Sequence, residues 1–80
     1  MSKKPKTLGE LNKGEAGIIV KVEENHKISN RLLEMGFLEG TRVEVIHEAP
    51  ITKDPIAIRV RGTIIALRRS EAQLIEIKNE

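Results

Sequence analysis

The chain has 80 residues, enough for one small core and too few for an enzyme that must enclose its substrate in a deep cleft. Its 14 basic and 12 acidic side chains leave a net charge of +2, and Lys3, Lys4 and Lys6 supply part of it, so the remaining body is near neutral rather than shaped for nucleic acid. Cysteine is absent and Phe37 is the only aromatic residue, which excludes disulfides, thiolate metal sites, base-stacking platforms and aromatic-lined grooves for proline-rich peptides.

Residues 1–6 read as a flexible basic tail, and one domain is expected over residues 7–78. The tail has the charged start of a signal peptide but no apolar run after it, and nothing later approaches the roughly 18 apolar residues of a membrane span. A cytoplasmic protein is expected. Leu8 and Leu11 are spaced for one irregular or helical turn laid against the body. Residues 17–22 form a first strand, with Ile18, Val20 and Val22 predicted on one face.

A short helix follows the polar residues 23–27. Ser29 is expected to cap it, Leu32 and Leu33 supply its buried face, Gly36 stops it, and Phe37 folds back on Leu32. Two turns of helix are too short to stand alone in water, so this element is stabilised by packing. Gly40 and Thr41 turn the chain into a second strand over 42–48, which shows the period-two alternation of a half-buried strand.

Pro50, Lys53, Asp54 and Pro55 mark residues 49–55 as an exposed loop. Residues 56–61 and 63–67 pair as a hairpin about Gly62. Ser70 is expected to cap one helical turn, and the last strand directs Ile75 and Ile77 inward before Asn79 and Glu80 fray. These elements predict a mostly β protein: a small five-stranded SH3-like barrel with one short α-helix between strands 1 and 2 and a helical turn before the last strand. Curling the sheet would enclose Val20, Val43, Val45, Ile58, Val60, Leu67 and Ile77 and hide its edges. An open α+β sandwich is the alternative.

The run Arg31-Leu32-Leu33-Glu34-Met35-Gly36-Phe37-Leu38-Glu39-Gly40-Thr41, then Ala49-Pro50 with Asp54-Pro55, then Ala66-Leu67-Arg68 and Glu71-Ala72, resembles the FeoA family of ferrous iron transport accessory proteins. The likeness runs from about Leu8 to Ile77. Glu39 and Lys53 depart from it, standing where the family usually has proline and glycine. The resemblance implies an SH3-like fold and a non-catalytic cytosolic partner of FeoB, the ferrous iron permease with its own GTPase domain, reached through that domain or through the membrane portion. It also implies a rival, because the same barrel occurs as an appendage of metal-dependent repressors.

Chemistry has few candidates. His26 and His47, with Glu24, Glu48 and Asp54, are the residues suited to ferrous iron, but no two histidines lie a helical turn apart, and no metal site or cofactor is assigned. Ser29, Ser70 and the threonines lack a histidine at any catalytic spacing, so no catalytic residue is named. Arg31, Arg68 and Arg69 could act in trans on a partner's GTP, and ion pairs to Glu34 or Glu71 explain them as well. Alternation sends Ile19, Ile46 and Ile64 outward, while Leu38 and Ile51 lie in turns, giving an apolar patch for a partner or a second copy of the chain unless the helix covers it. The predicted contact residues are Arg31, Glu34, Leu38, Ile51, Arg68 and Arg69. The competing reading is a regulatory or nucleic-acid-binding barrel that uses Arg59, Arg61, Arg68 and Arg69.

Overall fold

Among the described residues six strands, not five, form the sheet. The computed structural model describes residues 6–24 and 26–80, and within them β1 (Lys6–Thr7), β2 (Ala16–Val22), β3 (Arg42–Glu48), β4 (Ile56–Val60), β5 (Thr63–Leu67) and β6 (Ile75–Lys78) hydrogen-bond in the order β1-β6-β2-β3-β4-β5. All pairings are antiparallel. β1 is the unforeseen strand: Lys6 pairs with Ile77, so Lys6 belongs to the sheet and the rest of the expected tail lies outside the described residues. The helices are a 3-10 turn at Leu8–Glu10, α1 (Ser29–Glu34) and α2 (Arg69–Ala72).

The strands curl because β2 serves two partners, but among the described residues the sheet keeps β1 and β5 as edges, so the expected hiding of its edges is not met. The first residues of β2 pair with β3 and its later ones with β6, and a bulge between Ile19 and Lys21 bends it between the two. That bulge also corrects the expected face of β2. Gly17 and Ile19 point inward before it and Val22 packs against the core after it, while Ile18 and Val20 are only half-buried. A second bulge, between Val45 and His47, leaves Ile46 half-buried rather than outward.

The core joins Val43, Val45, Ile56, Ile58, Val60, Leu67, Ile75 and Ile77 of the strands with Leu8, Leu11, Leu32, Phe37 and Ala72 from the turns and helices. Each large side chain fully buried there contributes roughly 1.5–3 kcal/mol. Leu8 and Leu11 are both buried, so the N-terminal turn is the clamp its spacing predicts.

α1 ends as its sequence predicts and begins differently. Gly36 takes a φ of +106°, its N–H donates to the Leu33 carbonyl at 3.0 Å, and the Phe37 N–H donates to the Leu32 carbonyl at 3.1 Å. This is the paired termination that a left-handed glycine permits, and it drives Phe37 into the core. Ser29 is not the cap. It is the first helical residue, and its hydroxyl donates instead to the Glu23 carbonyl, tying α1 to the end of β2. Leu33, expected inside, is 41% exposed.

α2 starts two residues earlier than expected. Arg68 is its cap residue and Ser70 lies within it, with the Arg68 N–H donating to Glu71 Oε1 at 2.9 Å. Glu80 does not fray: its carboxylate grips the Arg42 guanidinium at 2.6 Å and 3.0 Å. None of the described helices is long and apolar enough to cross a membrane.

Candidate partner-binding surface

The loop over residues 49–55 is held from within. The Ala49 N–H donates to the Pro55 carbonyl at 3.0 Å, the Lys53 N–H to the Ala49 carbonyl at 2.9 Å, and the Thr52 hydroxyl to the Asp54 carbonyl at 2.9 Å. Arg69 then fastens the loop to the body. Its guanidinium donates to the Lys53 carbonyl at 2.7 Å, to the Gly9 and Leu11 carbonyls at 3.0 Å and 2.7 Å, and to Glu48 Oε1 at 3.3 Å. Its backbone N–H donates to Asp54 Oδ1 at 2.9 Å, which satisfies one of the orphan amides at the start of α2.

Ile51 stands on this braced loop 98% exposed, with a φ of +70°. A β-branched residue in the left-handed region is an outlier that costs about 1–3 kcal/mol, and such strain clusters at sites that bind. Lys53 has a φ of +60° as well.

The predicted contact residues fall into two groups. Arg31 and Glu34 lie on exposed positions of α1, and Leu38 follows it at 38% exposure. Ile51 and Arg68 lie at the other end of β5, the former on the braced loop and the latter directly after the strand. Strand β5 links the groups. Its hairpin turn brings the Arg61 stem beside Gly36, where a Cβ would lie 3.9 Å from Arg61 Cδ, and its far end runs into α2 against the Asp54 loop. Arg69 leaves the set, because its guanidinium is spent on internal partners and its side chain is only 19% exposed.

A shallow groove of about 250 Å³ lies on the outer face beside Ile51, lined by Pro50, Pro55, Ala57 and Ala66 below His47. Its floor is a cross-strand row, His47 opposite Ala57 opposite Ala66. The two-residue turn at Arg61 and Gly62 fixes the Ala57–Ala66 pair, whereas His47 joins the row only through the bulged β3–β4 pairing and the prolines close it from the loop, so the sequence pattern did not show the groove. Ile64 is exposed as predicted, at 59%, whereas Ile19 is buried and leaves the expected apolar patch.

The arginines do not converge. Arg59 approaches Glu44 at 4.0 Å, Arg69 is internal, and Arg61 and Arg68 bracket β5, about 20 Å apart along an extended strand. The acidic residues near the histidines are also engaged: Glu48 accepts from Arg69 and from the Lys13 N–H, and Asp54 accepts from Arg69. His26 Nδ1 accepts the Ile28 N–H at 3.3 Å. Among the described residues no three His, Asp or Glu side chains are grouped to hold a metal ion.

These features define a small SH3-like module that presents loop-borne aliphatic and charged side chains outward. The chain belongs to the FeoA family, whose domain model matches residues 6–79. It is 38% identical over 71 residues to a protein of Porphyromonas gingivalis described as an Fe(2+) transport protein A/Fe(2+) transporter FeoB fusion, covering 89% of this chain and 8% of that protein. A protein of Campylobacter jejuni described as an Fe(2+) transport protein A is 32% identical, with 89% of this chain and 95% of that protein covered.

Solved structures agree. FeoA of Stenotrophomonas maltophilia complexed with zinc superposes with a TM-score of 0.81 at 32% identity, covering 91% of this chain and 89% of that one. A FeoA-like protein of Clostridium acetobutylicum gives 0.87 at 29%, covering 98% and 90%. A manganese-dependent transcriptional repressor gives 0.81 at 15% identity, covering 98% of this chain and 44% of its own, a likeness of fold alone.

Proposed function

We propose that this chain is a cytoplasmic accessory protein of ferrous iron uptake that docks on the cytosolic part of a FeoB-type permease and adjusts its activity. The observation that carries this reading is the Porphyromonas relative, in which a region like this chain shares one polypeptide with a FeoB transporter. Fusion holds two partners at high effective concentration, so it favours pairs that act together. The docking residues are Arg31, Glu34, Leu38, Ile51 and Arg68. They lie outside the core, and two of them are aliphatic side chains held in water by defined backbone rather than left in a loose tail.

No catalytic step is assigned to the chain, and ferrous iron is cargo of the partner. The competing nucleic-acid reading needs a convergent basic face, and the engagement of Arg59 and Arg69 weakens it. The deciding experiment is a membrane pull-down with the tagged full chain, followed by affinity measurements on Leu38→Asp and Arg68→Glu after their folding is checked. Recovery of the permease with weaker binding by both variants supports the reading. Recovery of no permease, or normal binding by both variants, counts against it.

A further inference from the structure

We infer that the free edge of β5 is a docking line for an extended, acid-flanked apolar segment of a partner protein, which joins the sheet as an added strand. Among the described residues the sheet order ends on β5, so β5 pairs on one side with β4 alone. Across a two-residue hairpin turn the flanking residues Val60 and Thr63 form a hydrogen-bonded pair, and the pattern repeats at Ile58 with Ile65 and at Ile56 with Leu67. The N–H and C=O groups of Ile64 and Ala66 therefore point away from β4. Both residues are exposed.

Edge strands are usually blunted by lysine, proline, a bulge or extreme shortness. β1, at the other edge, has only two residues. β5 has five, Thr63-Ile64-Ile65-Ala66-Leu67, with no charge, no proline and no register shift against β4. Its outer face offers Ile64 and the groove onto which Ala66 opens, and its inner face offers half-buried Ile65. Main-chain pairing would supply affinity, and the groove would select an aliphatic side chain on the occupant.

Charge decides what the occupant is. Neither the Arg61 nor the Arg68 guanidinium has an ion-pair partner among the described residues, and they stand at the two ends of the uncharged strand. A second copy of β5 laid antiparallel would bring arginine-bearing ends together at both sides. A segment with an apolar centre and Asp or Glu at each end instead meets both cations. The inference concerns the chain geometry that the edge accepts and holds for a partner other than a permease.

The test uses the isotope-labelled full chain and a nine-residue peptide of alternating valine and threonine with two acidic residues at each end, against the same peptide with lysine ends. Amide shifts centred on Ile64 and Ala66, with hydrogen exchange at those amides slowed about tenfold by the acidic peptide and unchanged by the lysine peptide, support the inference. Ala66→Pro removes one outward N–H and is expected to abolish the effect. Should that variant lose its dispersed spectrum, exchange in the unaltered chain decides alone. Shifts confined to other elements, equal binding of both peptides, or no shift at low-millimolar peptide overturns the inference, as does a peptide-free dimer with these amides already protected.

Discussion

Arg69 and Glu48 meet at 3.3 Å, the former entering α2 and the latter closing β3, and both side chains are less than one-fifth exposed. Around this pair the Arg69 guanidinium also serves three backbone carbonyls from the N-terminal turn and the 49–55 loop. One side chain thus joins four segments and aims Ile51 outward.

Arg69→Met is accordingly expected to destabilise the protein by about 2–4 kcal/mol, because it strands Glu48 and those carbonyls with less than their full complement of donors. Arg69→Lys should recover only part of this, since an ammonium cannot reproduce the planar fork. Urea unfolding measures both. A loss below about 0.5 kcal/mol for the methionine variant, the level of an ordinary surface change, would contradict the internal role.

Two glycines should fail for different reasons. At Gly36 an added Cβ meets nothing closer than 3.9 Å but must sit at a φ of +106°, so Gly36→Ala is expected to cost about 1–2 kcal/mol, with Gly36→Asn milder. At Gly9 the added atom would lie 2.5 Å from the Arg69 carbonyl, a clash with backbone. Gly9→Ala should therefore cost more than Gly36→Ala, by thermal or chemical unfolding.

Lys53→Gly is expected to stabilise the fold by about 0.5–1 kcal/mol, because relief of the left-handed backbone exceeds the extra chain entropy of glycine. The loop geometry should persist, since its bonds run through the Lys53 N–H and C=O rather than the side chain. A fall in the urea midpoint would refute this.

Ile51→Asp should leave the protein at least as stable as the parent, because the side chain contacts water almost entirely and aspartate tolerates the left-handed backbone better than a β-branched residue, while reducing permease binding more than about tenfold. Calorimetry with the permease's cytosolic portion reads the second effect. Unchanged affinity would remove Ile51 from the docking surface.

Hydrogen bonding to the Arg42 guanidinium lowers the Glu80 carboxyl from its ordinary value of 4.5. A depressed folded value means that the clasp contributes fully above the unfolded value and is lost as the pH falls through the folded one. NMR titration of the Glu80 carboxyl should show a midpoint below the usual glutamate range, moving back toward it in Arg42→Gln and in high salt. A midpoint insensitive to both would exclude the ion pair.

The alternation at 42–48 and 56–67, the Leu8 and Leu11 spacing and the Gly36-Phe37 stop were enough to determine a small β-barrel with a glycine-ended helix, because each signal is local and reports its own backbone period. The ordered motifs from Arg31 to Ala72 carried the family. What only tertiary structure decided was phase and partnership. The inward face of β2 depended on a bulge set by pairing with β6, and the six strands depended on Lys6 finding Ile77. Arg69 became an internal brace because Glu48 and Asp54, 21 and 15 residues away in sequence, are brought beside it. Periodicity describes one segment at a time, whereas the fate of a charged side chain or an edge strand depends on segments that are neighbours only after the chain has closed.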